Sequence, residues 1–297
     1  MQILQCVPNF SEGRDPAFLD ALAAVLDRFP VKVLDLSMDA DHNRADCTFL
    51  GDPDAVEACA LAVTSRAVEL IDMRKHTGSH PRMGAVDVVP FVPIRDMTME
   101  EAAEIARRFG KTFAEQHGIP VFFYEEAATS EARRNLVDVR RGGYEGMAEK
   151  LRDPAWTVDA GLQSFNERSG VTAVGARMPL IAFNVNLQTD DLEVAKKIAN
   201  AVRHIGGGLR YVKAMGLSLE DRGIVQVSMN LVNYRQTPIP RAVELVKAEA
   251  ARYGVPVIEC ELVGMVPIEA LEEVVSYYLQ IPGFNAKQVI EYHLLPE

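Results

Sequence analysis

The sequence contains little cysteine and almost no tryptophan. Four of its 297 residues are cysteine and one is tryptophan. The cysteines show no CxxC spacing and lie in apolar stretches, which favours buried, reduced thiols in a cytoplasmic protein over a disulfide framework or a thiol nucleophile. No charge-free run approaches the roughly 18–20 residues that a membrane span requires. The first residues also lack a signal-peptide pattern. The cysteines are Cys6, Cys47, Cys59 and Cys260.

Positive charge is in deficit, since 31 Lys and Arg residues face 42 Asp and Glu residues, for a net charge of −11. This balance argues against a protein that coats nucleic acid or an anionic membrane. Hydrophobic residues make up 48% of the chain, the ordinary share of a soluble globular protein. The length predicts two lobes. A soluble α/β enzyme or small-molecule binder is therefore expected.

Several common motifs of enzyme sites are missing. Gly206-Gly207-Gly208 has neither the GK[ST] ending of a phosphate loop nor the GxGxxG register of a dinucleotide site, so it predicts a helix end. There is no GxSxG nucleophile motif. His76 and His80 have the spacing of two metal ligands on a helix, but glycine and proline nearby disfavour a helix there. We therefore predict no metal site.

Hydrophobic periodicity predicts the same order of elements in both halves, β-α-β-β-α-β-α-β. Each half contains the split βαββαβ order of a ferredoxin-like unit. The expected fold is α/β (α+β), with two ferredoxin-like α/β subdomains, residues 1–178 and 179–297, whose sheets flank a central ligand groove. Predicted strands include residues 2–8, 32–36, 46–51, 85–94 and 120–124 in the first half, and 180–187, 211–218, 224–231, 255–263 and 288–294 in the second.

Residues 128–178, between the two predicted sheets, are richer in arginine, glycine and polar side chains. They include the loop-like stretch GLQSFNERSG at residues 161–170. A long loop inside a compact chain is often functional. We expect this stretch to contact a ligand.

Residues 78–84, GSHPRMG, form the most informative local stretch. They are polar, bracketed by glycines, and run directly into the apolar strand AVDVVPFVPI. Pro81 biases His80 towards extended backbone, and imidazole is the side chain best suited to proton transfer near neutral pH. His80 is thus a candidate general base, the alternative being a loop histidine hydrogen-bonded to backbone.

Two further polar segments follow or join predicted strands. In residues 39–44, a carboxylate could orient a catalytic histidine and Arg44 could clamp a substrate carboxylate; the alternative is a turn closed by Asp and Asn side chains. In residues 8–13, Asn9 and Glu12 present polar groups at a strand end, although a capped turn explains them as well.

These motifs together resemble the formiminotransferase family, to which glutamate formimidoyltransferases and one half of formimidoyltransferase-cyclodeaminases belong. The resemblance extends over essentially the full length and rests on CVPNFSEG (6–13), DHNR (41–44), TGSHPRMGAVDVVPFVPI (77–94), IAFNVNL (181–187), QVSMNL (226–231) and ELVGMVP (261–267). It implies a homodimer, in the cytoplasm that the reduced cysteines favour. The cyclodeaminase half is absent from this sequence, so release of ammonia would need a separate cyclodeaminase.

The resemblance implies transfer of the formimidoyl group from N-formimidoyl-L-glutamate to N5 of tetrahydrofolate, in histidine degradation and one-carbon metabolism. Tetrahydrofolate is then a co-substrate, and no metal, nucleic acid or membrane partner is implied. Formyl transfer from 5-formyltetrahydrofolate or N-formylglutamate, or non-catalytic folate binding, are the alternatives.

The resemblance also implies site residues. His80 is the general base, supported by Asp39, with Asp41 as the competitor for that role. Arg44 and Arg82 are expected to bind the substrate carboxylates, and Arg210 or Lys213 the glutamate tail of folate. The expected substrate and folate ligands are Asn9, Glu12, Asn43, Arg44, Arg82, Gly161, Gln163, Ser164, Phe165, Ser169, Gly170, Asn184, Asn186, Arg210 and Lys213.

Overall fold

The structure is a computed structural model that describes residues 1–78 and 81–294. The chain divides into two compact units, Met1–Arg177 and Met178–Glu297. His80, the expected base, lies outside the described residues. The two units are each an α/β assembly, which confirms the predicted fold class.

The first unit contains seven strands and five α-helices among its described residues. Its elements are β1 (Ile3–Cys6), β2 (Asn9–Phe10), α1 (Pro16–Leu26), β3 (Lys32–Asp39), β4 (Arg44–Gly51), α2 (Pro53–Leu70), β5 (Val86–Arg95), α3 (Met99–His117), β6 (Val121–Glu125), α4 (Leu136–Arg140), α5 (Gly143–Lys150) and β7 (Thr172–Ala176).

Local capping signals set the starts of two helices of this unit. The Asp15 side chain accepts a hydrogen bond from the Ala17 amide, with Pro16 at the first helical position of α1. The Thr98 and Glu101 side chains form a reciprocal capping box before α3. Both caps join residues that lie two or three positions apart in the sequence.

The first sheet contains the ferredoxin-like order and extends it. β4 pairs antiparallel with β3 and with β1, and β1 pairs antiparallel with β5. β7 and β6 then continue the sheet in parallel beyond β5. A core of aliphatic and phenylalanine side chains, including Phe49, Phe91, Phe109 and Phe123, lies between this sheet and helices α1, α2 and α3.

Strand β7 lies within residues 128–178, where the hydrophobic pattern predicts no strand. It is buried along its whole length and lies between β5 and β6. Its five residues are small, and a Cβ on Gly175 would lie 2.6 Å from the Tyr124 ring, so only glycine admits that ring. A short strand of small residues carries little hydrophobic periodicity, which explains why the pattern missed it.

The second unit has one four-stranded sheet. Its elements are β8 (Ile181–Leu187), α6 (Leu192–Val202), β9 (Val212–Leu219), β10 (Ile224–Leu231), α7 (Ile239–Arg252), β11 (Val257–Val263) and α8 (Ile268–Tyr278). The strand order β11-β8-β10-β9 is fully antiparallel, as in a ferredoxin-like unit. One sheet face packs its aliphatic side chains against α6 and α7.

The predicted last strand, residues 288–294, is wrong. The chain there forms short 3₁₀ helices, Ala286–Gln288 and Ile290–Leu294. Asn285 and Gln288 form a capping box, which commits the backbone to a helical turn. The alternating apolar residues that suggested a strand, Ile290, Tyr292 and Leu294, are exposed. By contrast, Gly207 ends a 3₁₀ turn with positive φ, as the glycine run predicted.

The prediction of buried thiols holds for three cysteines and is wrong for the fourth. Cys6, Cys47 and Cys59 are buried and free, whereas Cys260 is exposed on β11. Burial raises the pKa of the Cys59 thiol to about 12 and raises the pKa of Cys6 well above its ordinary value. These three thiols are therefore protonated and inert at neutral pH.

Candidate functional site

The backbone that precedes His80 is attached to the β3–β4 hairpin. Asn43, which has φ of 50°, donates from Nδ2 to the carbonyl of Thr77 at 2.8 Å. Its Oδ1 accepts from the Gly13 amide at 2.9 Å. A Cβ on Gly78 would lie 2.7 Å from the His42 carbonyl. The buried Asn43 therefore holds three loops together through both ends of its amide.

The backbone that follows His80 is attached to the end of the predicted folate loop. The Val171 amide donates to the Met83 carbonyl at 3.1 Å, and Gly84 bridges to Gly170. The buried Ser11 hydroxyl donates to the Gly84 carbonyl at 2.8 Å. Two segments predicted separately from the sequence, residues 78–84 and 161–170, are thus direct neighbours.

Helix α5 packs its first turn against Arg82. The Tyr144 amide donates to the Arg82 carbonyl at 2.8 Å. The Arg82 guanidinium bonds both carboxylate oxygens of Glu145, at 2.7 and 3.1 Å. This pairing lowers the pKa of Glu145. Arg82, an expected substrate ligand, is therefore already engaged by a carboxylate of its own chain.

His76 is held as a neutral imidazole with a defined tautomer. Arg82 Nε donates to His76 Nδ1 at 3.2 Å, so Nδ1 carries no proton, because arginine only donates. The opposite nitrogen, Nε2, lies 3.0 Å from the Asn43 carbonyl and donates to it. Burial lowers the pKa of His76, and the Arg82 charge acts in the same direction.

This environment predicts an acid-dependent loss of stability. A histidine with a lowered folded pKa binds fewer protons than in the unfolded chain, so stability falls as pH drops below about 6.5 towards the folded value. His76→Gln should reduce this slope, by up to about 1.4 kcal/mol per pH unit for one proton. Urea unfolding, followed by the fluorescence of the sole tryptophan, Trp156 in the first unit, measures it.

His117 supplies the comparison for that measurement. Burial also lowers its pKa, and its Nε2 lies 2.8 Å from the Ser65 hydroxyl. His117→Gln should also reduce the dependence of the unfolding free energy on pH. The effects of the His76 and His117 substitutions should add because the two residues share no partner. An unchanged slope in the His76 variant would contradict the lowered pKa of His76.

Asp87, on β5, is the centre of a buried charge cluster. Its Oδ2 accepts from Arg44 Nη1 at 2.9 Å and from Arg140, and its Oδ1 accepts from the Met83 amide at 2.9 Å. Burial by itself would raise the pKa of Asp87, but the two guanidinium charges outweigh it and the pKa is lowered. Arg44 also donates to Asn9 Oδ1. Arg44 is therefore engaged within its own chain.

Asp39 closes the turn of the β3–β4 hairpin. Its Oδ1 accepts from the amides of Asp41 and His42, each at 2.9 Å, and its Oδ2 lies 2.8 Å from His42 Nδ1. The backbone hydrogen bond from His42 is the main cause that lowers the pKa of Asp39. The turn alternative is thus realised, while support of His80 by Asp39 or Asp41 stays a prediction.

A cavity of about 580 Å³ lies beside these loops in the first unit. Lys75 lies on its wall and makes no ion pair within residues 1–78 and 81–294. Glu12 is aligned by hydrogen bonds from the amides of Arg14 and Asp15 to its Oε1. The wall therefore presents charges of both signs. Its lining residues are Ser11, Glu12, Arg14, Asp15, Pro16, Asn43, Leu70, Ile71, Asp72, Lys75 and His76.

Most of the predicted folate-loop residues make contacts that shape the loop. Gln163 bonds the Val158 amide at 2.7 Å and the Leu151 carbonyl at 2.8 Å. Phe165 packs against the Tyr144 ring, with centroids 5.2 Å apart. Ser164 is exposed and Ser169 is buried. Gly161 and Gly170 both have positive φ and contact backbone where a Cβ would clash.

In the second unit the predicted amides lie together on the sheet face opposite α6 and α7. Asn184 donates to Glu261 at 3.1 Å, and Asn186 donates to Glu259 at 2.8 Å. Gln226 donates to Asn186 Oδ1 at 2.9 Å and links the two pairs. The expected folate-tail residues Arg210 and Lys213 are exposed, and Arg210 lies over the Tyr211 ring.

Sequence reasoning missed several residues that contact the His80 segment. Asp87 had one available signal, since it is the only charged residue within the apolar run AVDVVPFVPI. The others gave none, because their roles depend on contacts between residues far apart in the chain. They are Tyr144 and Glu145, which bind Arg82, and Arg140, which binds Asp87. In the described parts of the chain, no three His, Cys, Asp or Glu residues group as metal ligands.

None of the described helices is both long enough and apolar enough to cross a membrane.

Comparison with known proteins identifies the family. Residues 3–177 match the formiminotransferase domain, N-terminal subdomain, and residues 182–291 match the formiminotransferase domain. A glutamate formimidoyltransferase of Streptococcus pyogenes serotype M1 is 49% identical over 296 residues, 99% of this chain and 99% of the relative. One from Thermoplasma acidophilum is 47% identical, over 98% of this chain and 97% of the relative.

A longer relative matches over part of its length. The formimidoyltransferase-cyclodeaminase of Dictyostelium discoideum is 42% identical over 94% of this chain and 53% of the relative. The matches to the two domain descriptions cover most of the sequence and meet at the division between the two compact units. The chain belongs to the formiminotransferase family.

Proposed function

We propose that this chain transfers the formimidoyl group of N-formimidoyl-L-glutamate to N5 of tetrahydrofolate, with His80 as the general base. The observation that carries the reaction is full-length similarity, at 49% and 47% identity, to proteins described as glutamate formimidoyltransferases. The attachment of three loops and α5 to the residues on both sides of His80 supports its role. A proton-transfer group must be held in place to act.

In the proposed mechanism, N5 of tetrahydrofolate attacks the formimidoyl carbon and forms a tetrahedral intermediate. N5 becomes positively charged as its new bond forms, and His80 removes its proton. The bond between that carbon and the glutamate nitrogen then breaks, and His80 returns the proton to the departing nitrogen. One residue performs both steps because imidazole accepts and donates protons near neutral pH.

The mixed charge of the 580 Å³ cavity suits the formimidoyl donor. N-Formimidoyl-L-glutamate carries two carboxylates and an amidine-like group that is cationic when protonated. In our proposal Glu12 faces the formimidoyl group, while Lys75 and Arg14 attract a carboxylate. Arg44 and Arg82 stay predicted carboxylate ligands, but they would have to share their guanidinium groups with Asp87 and Glu145.

For folate we propose contacts with residues 161–170 and with Asn184 and Asn186, and a tail site at Arg210 and Lys213. The exposed positive charge of the last two residues suits the carboxylates of a glutamate tail. Tetrahydrofolate is a co-substrate in this scheme, and no resident cofactor takes part.

The experiment is a turnover assay of the purified protein with N-formimidoyl-L-glutamate and tetrahydrofolate. Formation of 5-formimidoyltetrahydrofolate and glutamate in equal amounts is the expected result. Parallel assays with N-formylglutamate as donor, and with 5-formyltetrahydrofolate and glutamate, separate formyl transfer from formimidoyl transfer. Tight folate binding without turnover of any donor would favour a non-catalytic folate-binding protein and contradict the proposal.

We further propose that the protein is a cytoplasmic homodimer. β11 is an edge strand of the second sheet and leaves most of its residues exposed. Apolar side chains of β11 and α8, including Leu262, Leu271 and Tyr277, are also at least 40% exposed. An edge strand beside exposed apolar residues favours association with another chain.

Leu271→Glu should convert the dimer to monomer, because a buried unpaired carboxylate opposes association at an apolar interface. Sedimentation velocity at micromolar concentration measures the mass. Ile205→Glu is the matched control, since Ile205 is exposed on the 3₁₀ turn after α6. A wild-type monomer, or a Leu271 variant that stays dimeric, would count against this interface.

A further inference from the structure

Asp87 is the charged residue that the apolar strand β5 buries completely. Its exposed fraction is 0%, and its neighbours along the strand, Val86 and Val88, are buried aliphatic residues. Burial of a carboxylate is costly unless hydrogen bonds and opposite charges compensate it. Four residues upstream of Asp87 is Met83, within the segment that follows His80. The buried carboxylate therefore lies next to the segment that follows His80.

The carboxylate of Asp87 connects three separate parts of the first unit. Oδ1 binds the Met83 amide at 2.9 Å, which attaches the segment after His80 to β5. Oδ2 binds Arg44 from β4 and Arg140 from α4. Each of these partners is at least four residues away along the chain, so the carboxylate fixes their relative positions rather than a local turn.

Asp87 is the carboxylate that both guanidinium groups of this cluster bind by hydrogen bonds. A second carboxylate, Asp46, lies 3.9 Å from Arg44 Nε, so Asp87 and Asp46 together balance the charges of Arg44 and Arg140. Asn9 Oδ1 is a further, neutral acceptor for Arg44. Loss of the Asp87 charge would leave Arg44 and Arg140 with Asp46 as the one nearby carboxylate among the described residues, and the cluster would carry an excess of positive charge. The repulsion between the two guanidinium groups would act directly on the elements that flank the Met83 amide.

We propose that Asp87 is a positioning residue, whose carboxylate holds the backbone after His80 in register with Arg44 and Arg140. This inference rests on the proposed function, in which His80 is the base. Asp87 makes no contact with substrate in this scheme. It acts through the Met83 amide, and through that amide it sets where the residues on the N-terminal side of Met83 can lie.

The test is Asp87→Asn, which keeps the shape of the side chain and removes its charge. A misplaced base slows the chemical step more than it weakens binding. We expect kcat to fall about 10- to 100-fold, with KM for both substrates changed less than about threefold. An unchanged kcat, or a fall in kcat/KM that arises from KM alone, would overturn the positioning role.

Glu57→Gln is the matched control. Glu57 on α2 is a largely buried carboxylate that pairs with Arg108 on α3, and it contacts nothing in residues 81–84. Each substitution removes a carboxylate charge that pairs with arginine, so both variants should have a lower melting temperature than the wild type. Only the Asp87 variant should change kcat at a temperature where both are folded. Equal kcat values in the two variants would reduce Asp87 to a structural residue.

A second readout does not depend on the substrates. Hydrogen exchange of the Met83 amide should be about tenfold faster in Asp87→Asn, because an amide oxygen accepts more weakly than a carboxylate. The Glu57 variant should leave it unchanged. If the wild type fails to turn over N-formimidoyl-L-glutamate, the proposed function is wrong. The exchange rate of the Met83 amide would still show whether Asp87 holds the backbone that follows His80. Equal exchange in wild type and variant would overturn the inference.

Discussion

Replacing His80 with alanine is expected to lower kcat by about 10²–10⁴-fold, the usual contribution of a positioned general acid–base group. Folate affinity should stay within about threefold of the wild-type value, because the proposed folate contacts come from other segments. Single-turnover kinetics separates the chemical step from binding. The expected pattern is a loss in the chemical step with little change in the dissociation constant of tetrahydrofolate.

His293→Ala is the control for that experiment. His293 lies on the last 3₁₀ helix of the second unit and bonds the Lys287 carbonyl at 2.9 Å, apart from every proposed substrate contact. Its replacement should leave kcat unchanged. Full turnover by the His80 variant would remove His80 from the mechanism. The mechanism would then need another base, and His76 would be the first to examine because it lines the cavity.

Gly170→Ala is expected to cost the first unit about 2–5 kcal/mol of unfolding free energy. Gly170 has φ of 72°, and a Cβ there would lie 2.2 Å from the Met83 carbonyl and 2.6 Å from Gly84 Cα. Backbone atoms on both sides leave no side chain that can move aside. The loss therefore combines the strain of the left-handed conformation with a direct clash.

Gly118→Ala separates the two contributions. Gly118 ends α3 with φ of 62°, but no atom lies within 4 Å of a Cβ placed there. Its replacement should cost only about 1–2 kcal/mol, from backbone strain alone. Urea unfolding monitored through Trp156 gives both values. A Gly170 variant of normal stability that fails to bind folate would assign this glycine to the ligand instead of to the fold.

Three of the segments that the sequence singles out as functional are neighbours in the structure. The strand that follows residues 78–84, the hairpin that carries Asn43 and Arg44, and the loop that ends at Gly170 do lie next to one another in the first unit. The contacts of individual residues there differ from those that the sequence predicts. Arg44, an expected ligand of a substrate carboxylate, binds Asp87 of its own chain. Asn43, also an expected ligand, uses both ends of its side-chain amide to bind backbone groups.

The sequence alone determined the elements whose causes are local. A cap at Asp15, a capping box at Thr98 and aliphatic runs in the strands depend on residues a few positions apart, so one can infer them by spacing. Tertiary structure decided the rest. β7 is an internal strand because β5 and β6 pair with it on either side. Most of residues 288–294 form a 3₁₀ helix instead of the predicted strand. Asp87 joins residues 43 and 53 positions away, and such contacts exist only once the chain has folded.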